Sequence, residues 1–227
     1  MKRKNNGQKG FDGYDKTMDS FLQVLEKKWK PWLIRKIPGY VHGYHLTLST
    51  LLWSILIIVF SYLARLDIRW LWFVSLLIFL QYITDSIDGL LGLTRKDGLA
   101  KWGYYMDHFL DYVFLCSIII GYFFIVTPHY RYMLLFILAI LVGYMINTFL
   151  YFSVTQKFKI TYMHIGPSEI RMVFIIVNTL LIFFGRTFIG FALPYILALT
   201  LIGLILVVYE VQKEIWKKDK EKNIDKG

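Results

Sequence analysis

The sequence predicts an all-α fold: a polytopic membrane protein with six transmembrane helices and an N-terminal interfacial amphipathic helix. Three observations predict it. Hydrophobic residues make up 56% of the 227 and aromatics 18%, and charge gathers at the two ends instead of being interspersed as in a soluble domain. Runs of about 20 mostly apolar residues recur, the length that crosses about 30 Å of hydrocarbon. Six are visible, at roughly 45–64, 71–92, 103–126, 132–153, 170–187 and 190–210. Finally, 22 of the 26 Lys and Arg residues lie on the tails and even-numbered loops, leaving only Arg65, Arg69, Arg131 and Arg186 opposite. The positive-inside rule then places both termini in the cytoplasm.

The elements follow in order, in three units: an N-terminal segment 1–40, a transmembrane domain 41–212 and a charged tail 213–227. Residues 1–18, rich in Gly, Lys and Asn, are expected to lack structure. Their charges are followed by no apolar core, so no signal peptide is expected. Residues 19–40, DSFLQVLEKKWKPWLIRKIPGY, set Phe21, Leu25, Trp29, Trp32, Leu33 and Ile34 beside a basic face. That pattern suits a helix in the headgroup layer, bent or restarted at Pro31. The six spans follow with short loops. Cys116, the single cysteine, lies in an apolar run and reads as a small core filler. The tail from Lys213 reads as a charged helical extension. The net charge of +10 fits attraction to anionic lipid headgroups, and nothing resembles a nucleic-acid module. Short loops without a targeting segment would suit a bacterial inner membrane.

The informative stretch is 85–111, DSIDGLLGLTRKDGLAKWGYYMDHFLD. It puts Asp85 and Asp88 at the inner end of the second span, and Asp107 and Asp111 at that of the third. One carboxylate at the centre of a spanning helix costs about 2.5 kcal/mol or more. Four also repel one another, and a divalent cation is the simplest remedy. On a helix Asp85 and Asp88 point about 60° apart and Asp107 and Asp111 about 40°, so each pair occupies one face. If the two helices are antiparallel neighbours, the pairs meet. The donors are then all oxygen, which suits Mg²⁺ or Mn²⁺, or Ca²⁺, rather than zinc. Two such ions would suit phosphoryl transfer. Gly89, Gly92 and Gly103 let backbone or ligand approach beside the carboxylates. Helix–helix polar packing, or a cation pathway in a transporter, would also use intramembrane aspartates.

The stretch resembles the CDP-alcohol phosphotransferases (CDP-alcohol phosphatidyltransferases), which carry D-x2-D-G-x2-A-R-x8-G-x3-D-x3-D. Asp85, Asp88, Gly89, Gly103, Asp107 and Asp111 match that pattern. Gly92 and Leu93 stand where the family has Ala-Arg, the linker to Gly103 is one residue longer, and Arg95 lies two positions late. The resemblance implies a membrane enzyme of phospholipid biosynthesis, usually a homodimer. An acceptor hydroxyl would attack the phosphate bearing the donor alcohol of a CDP-alcohol, and CMP would leave. It further implies metal ligation by Asp85, Asp88, Asp107 and Asp111, with Asp111 also the general base, and a cofactor of Mg²⁺ or Mn²⁺, two ions. Gly89, Gly92, Gly103 and Arg95 would border the nucleotide.

A second polar cluster precedes the fifth span. Pro167 and Ser168 lead into Glu169 and Arg171, which read as a helix cap and first turn, or as groups for an acceptor hydroxyl and a phosphate. His164 is a further substrate candidate. Lys157 and Lys159 are explained by topology, and His108 reads as a packing residue. His42 and His45 open the first span, where family members usually have Asn and Thr. Thr47 matches that threonine, and Tyr44 falls at the asparagine.

Overall fold

The computed structural model describes residues 16–17, 21–156, 158–159 and 166–224. Seven α-helices follow one another: α1 (Phe21–Lys36), α2 (Gly43–Leu63), α3 (Leu71–Arg95), α4 (Ala100–Ile125), α5 (Arg131–Thr155), α6 (Pro167–Phe184) and α7 (Arg186–Ile224). Short 3-10 turns at Ile68–Trp70 and Pro128–Tyr130 lead into α3 and α5. Among the described residues the only other elements are two-residue strands, β1 (Lys16–Thr17) and β2 (Phe158–Lys159), paired in parallel. Of the expected unstructured stretch 1–18, only this strand is described. Helices α2 to α7 are each long and apolar enough to cross a bilayer, which fits an integral, multi-pass membrane protein.

The expected boundaries shift in two places. Helix α1 runs through Pro31 in one piece. The proline withholds an N–H, but Trp29, Leu33 and Ile34 still pack on one side. The break between the last two spans lies at Gly185, earlier than expected, where φ of +78° stops α6. The helical extension expected from Lys213 is present: α7 continues past residue 210 to Ile224, because Lys and Glu are good helix formers. There Tyr151 on α5 donates to Glu214 (2.7 Å), which also pairs with Lys218 (2.6 Å).

Helix α2 is the centre of the bundle, packed most extensively on α3 and α4. Its buried positions are Gly43, Thr47, Thr50, Ser54, Ile57 and Ser61, a stripe at steps of three and four. Five are small, which lets neighbouring backbones come close in a lipid setting that gives helices no hydrophobic reason to associate. A Cβ at Gly43 would sit 2.6 Å from the Asp88 carbonyl oxygen and 2.9 Å from the Gly92 backbone. The α2–α3 crossing therefore requires glycine there. Ile57, Leu71, Ile78, Phe114, Ile118 and Leu181 fill the core.

Helix α6 is clasped by polar groups deep in the bundle. Asn178 donates to Ser75 on α3 (3.2 Å) and accepts from the Tyr122 hydroxyl on α4 (2.9 Å). Arg171 lies seven residues earlier, nearly two turns, and so projects from the same face. Large apolar side chains such as Leu52, Ile55, Phe183, Phe191 and Leu199 are exposed on the outside, as a lipid-facing surface requires.

Candidate active site

The aspartates of α3 and α4 meet in one cluster. Asp88 is 8% exposed. Its carboxylate accepts from the Thr47 hydroxyl at 2.6 Å and from the Gly89 N–H at 2.5 Å. Asp85 accepts from the Gln81 amide at 3.3 Å, one turn deeper on the same helix. Asp107 lies 3.3 Å from the His108 ring nitrogen. Asp88 stands within electrostatic reach of Asp85 and Asp107, and Asp111 of Asp85 and Asp107. The two pairs thus lie within electrostatic reach of each other, although α3 and α4 pack chiefly on α2 and not on each other as the spacing suggested.

Arg171 enters this cluster from α6. It is 5% exposed, and its two terminal nitrogens reach Asp85 at 3.1 Å and Asp111 at 2.6 Å. Its guanidinium also lies 5.8 Å from the Phe114 ring centroid. A planar fork of donors suits two carboxylates better than the point charge of a lysine. Arg171, weighed in the sequence as a phosphate contact, is here the partner of two motif aspartates.

The fit of the cluster to a divalent metal turns on its charge and its donors. One arginine offsets one of four carboxylates, and every motif donor is a hard oxygen, the chemistry that Mg²⁺ and Mn²⁺ prefer. Among the described residues, no three His, Cys, Asp or Glu side chains converge as a ready metal-binding group. Arg171 holds Asp85 and Asp111, while Thr47 and Gly89 hold Asp88. The donor set suits the ion, and Asp85, Asp88, Asp107 and Asp111 would hold it.

The other expected residues divide. At Gly89 and Gly103 a Cβ would meet nothing within 4 Å, so the backbone there is open to a ligand. At Gly92 it would meet Asp97 at 3.5 Å and Gly43 at 3.9 Å, so this glycine belongs to the α2–α3 contact. The Arg95 guanidinium donates to the carbonyls of Ile37 (2.9 Å) and Pro38 (3.2 Å), holding the link between α1 and α2. Glu169 accepts from the Gly166 N–H at 2.9 Å, as a cap of α6. His108 packs between Tyr104 and Phe149. His164 and Lys157 lie outside the described residues.

Sequence reasoning missed several contributors. Gln81 carried a signal, being polar in an apolar run one turn before Asp85. Asp97 carried none. Its carboxylate accepts from the Gly43 N–H (2.9 Å) and pairs with the His42 ring (2.6 Å), capping α2 from the loop after α3. Burial pushes the Asp97 carboxyl up, but the bonds from His42 and Gly43 outweigh it and hold it below its ordinary value.

A sequence model of CDP-alcohol phosphatidyltransferases matches residues 43–209, a stretch that takes in α2 to α6 and most of α7 with all four aspartates. No curated protein matches the chain. The match spans well over half of the chain and includes the carboxylate cluster and the helices that build it, and on that ground the chain belongs to the CDP-alcohol phosphatidyltransferase family.

Proposed function

We propose that the protein is a divalent-metal-dependent membrane phosphotransferase of phospholipid biosynthesis, acting at the cytoplasmic mouth of its bundle. It moves a phosphoalcohol group, such as a phosphatidyl group, from a CDP-alcohol to a hydroxyl acceptor. The family assignment supports the CDP-alcohol donor. The observation that carries the reading is Arg171 bridging Asp85 and Asp111, with Asp88 and Asp107 within electrostatic reach of that bridge. Two Mg²⁺ or Mn²⁺ ions held by these aspartates would neutralise the pyrophosphate and the charge that develops on the leaving oxygen.

In this reading the chain's own groups have distinct tasks. Gly89 and Gly103 leave open backbone where the nucleotide lies, while Gly92 and Arg95 hold the adjoining α2–α3 and α1–α2 contacts. Thr47 and Gln81 fix the orientations of Asp88 and Asp85. Asp111 takes the proton of the acceptor hydroxyl. The hydroxyl oxygen forms its bond to the phosphorus that carries the donor alcohol, the bond from that phosphorus to the CMP oxygen breaks, and CMP leaves with the electron pair. Arg171 pairs with Asp111 before substrate arrives and offers donors to a phosphate, with Glu169 a further group for the acceptor. The basic-residue asymmetry supports cytoplasmic termini, the resemblance supports a homodimer, and the short loops suit a bacterial inner membrane.

The test is a matrix of CDP-diacylglycerol and CDP-choline against glycerol phosphate, inositol, serine and diacylglycerol, with CMP release as readout. CMP should appear for at least one pair and only with divalent metal. Ion flux that depends on the aspartates, without CMP from any pair, would replace this reading with a transporter.

A further inference from the structure

Helix α1 lies against α3 at the level of the aspartates. Ile34 packs there with Ile87 and Leu91, residues that interleave with the motif. The same contact buries a carboxylate. Glu26 is 3% exposed, although its helix reads as one that lies in the headgroup layer. A buried charge is costly unless it is paired and hydrogen-bonded, and here both oxygens are used. One accepts from the Tyr82 hydroxyl (3.1 Å) and from the Ser168 hydroxyl (3.1 Å), and the other pairs with Lys30 at 2.5 Å. Burial pushes the Glu26 carboxyl up, but Lys30, Ser168 and Tyr82 outweigh it and hold it below its ordinary value.

The two hydroxyl donors sit on different helices, each three residues ahead of a site residue. Tyr82 on α3 precedes Asp85 by three residues, and Ser168 on α6 precedes Arg171 by three. Three residues are about 4.5 Å along a helix. Glu26 therefore joins α3 to α6 less than one turn from the Asp85–Arg171 pair, which closes at 3.1 Å. Tyr82 also stands within electrostatic reach of Glu169 and Arg171. Lys30 anchors the carboxylate on its own helix and leaves the other oxygen to the two hydroxyls.

We propose that Glu26 is a positioning residue: through Tyr82 and Ser168 it sets α6 against α3, and so places Arg171 between Asp85 and Asp111. The proposal rests on the phosphotransferase reading of that site. Its effect falls on turnover more than on donor binding, because Glu26 touches the helices that carry Arg171 and Asp85 and none of the open glycine backbone.

The experiment compares full-length wild type with Glu26→Ala, Glu26→Gln and the double variant Tyr82→Phe/Ser168→Ala, in the donor–acceptor pair that gives CMP. Losing hydrogen bonds to a charged group corresponds to a loss of about tenfold or more in kcat. Glu26→Ala should show that loss with KM for the CDP-alcohol within about twofold. Glu26→Gln keeps an acceptor oxygen for both hydroxyls and should recover most of kcat. Adding Glu26→Ala to the Tyr82→Phe/Ser168→Ala double variant should cost little more, since the three groups act as a unit. Wild-type kcat in Glu26→Ala, or a Gln variant no better than Ala, overturns the proposal. A second measurement needs no activity: the Arg171–Asp85 coupling in thermal stability, from a double-mutant cycle, should fall by at least half in the Glu26→Ala background. An unchanged coupling overturns the proposal. Absence of CMP from wild type would sink the enzymatic reading, while this coupling still decides the role of Glu26.

Discussion

Replacing Arg171 by Gln strips the single guanidinium from between Asp85 and Asp111. The arginine is buried and reaches those carboxylates at 3.1 and 2.6 Å. Removing one partner of a buried ion pair costs about 3–5 kcal/mol, because the charge left behind stays buried and unpaired. The lost packing on Phe114 adds to this. The assay is thermal unfolding of the purified protein in detergent, with Asp111→Asn and the double variant alongside. The double variant should be less destabilised than the sum of the singles, by about 0.5–3 kcal/mol, because the neutral amide leaves less charge to compensate. Added Mg²⁺ or Mn²⁺ should stabilise Arg171→Gln more than wild type, since ligand that binds only the folded state raises its stability by mass action. A loss under about 0.5 kcal/mol, the range of an ordinary surface change, would refute the bridging role. Additive single effects would refute it as well.

Two further outcomes follow from the geometry. Gly43→Ala should destabilise by about 1–3 kcal/mol, since its Cβ would meet the Asp88 and Gly92 backbone, which cannot turn aside as a side chain can. Gly92→Ala, which restores a residue of the family pattern, should stay within about 0.5 kcal/mol because its new contacts are ordinary; equal behaviour of the two in thermal unfolding would contradict the crossing. The Asp97 cap carries a pH signature. Its carboxyl is depressed below the ordinary 3.8, so its contribution is present above that value and lost as pH falls through the lower folded value. The stability gap between wild type and Asp97→Asn should therefore persist down to about pH 4 and close only below it. A gap that vanishes between pH 7 and 5 would contradict this cap.

Much of the architecture was legible because a spanning helix announces itself locally. Each apolar run has to cover the hydrocarbon by itself, so length and hydropathy place α2 to α7 without any knowledge of packing. The aspartate pairs were legible for a similar reason: steps of three and four fix a face on one helix. What escaped depends on which helices become neighbours. Arg171 comes to Asp111 across 60 residues of chain, and Ser168 to Glu26 across 142. No periodicity within a segment encodes either approach. Gly43 escaped because its meaning lies in the α3 backbone it touches. Glu26 escaped because its basic helix reads as a solvated face, and only the packed structure shows an acid turned inward. Helix α7 outran the apolar pattern that marked it, since Lys and Glu sustain a helix after hydrophobicity ends.

CMP release from a CDP-alcohol, measured on purified wild type, Asp107→Asn and Asp111→Asn, decides whether the four carboxylates carry phosphoryl transfer. Wild type should give metal-dependent CMP, and both variants should lose turnover while expression and membrane insertion stay intact. Wild-type rates in either variant would contradict that role.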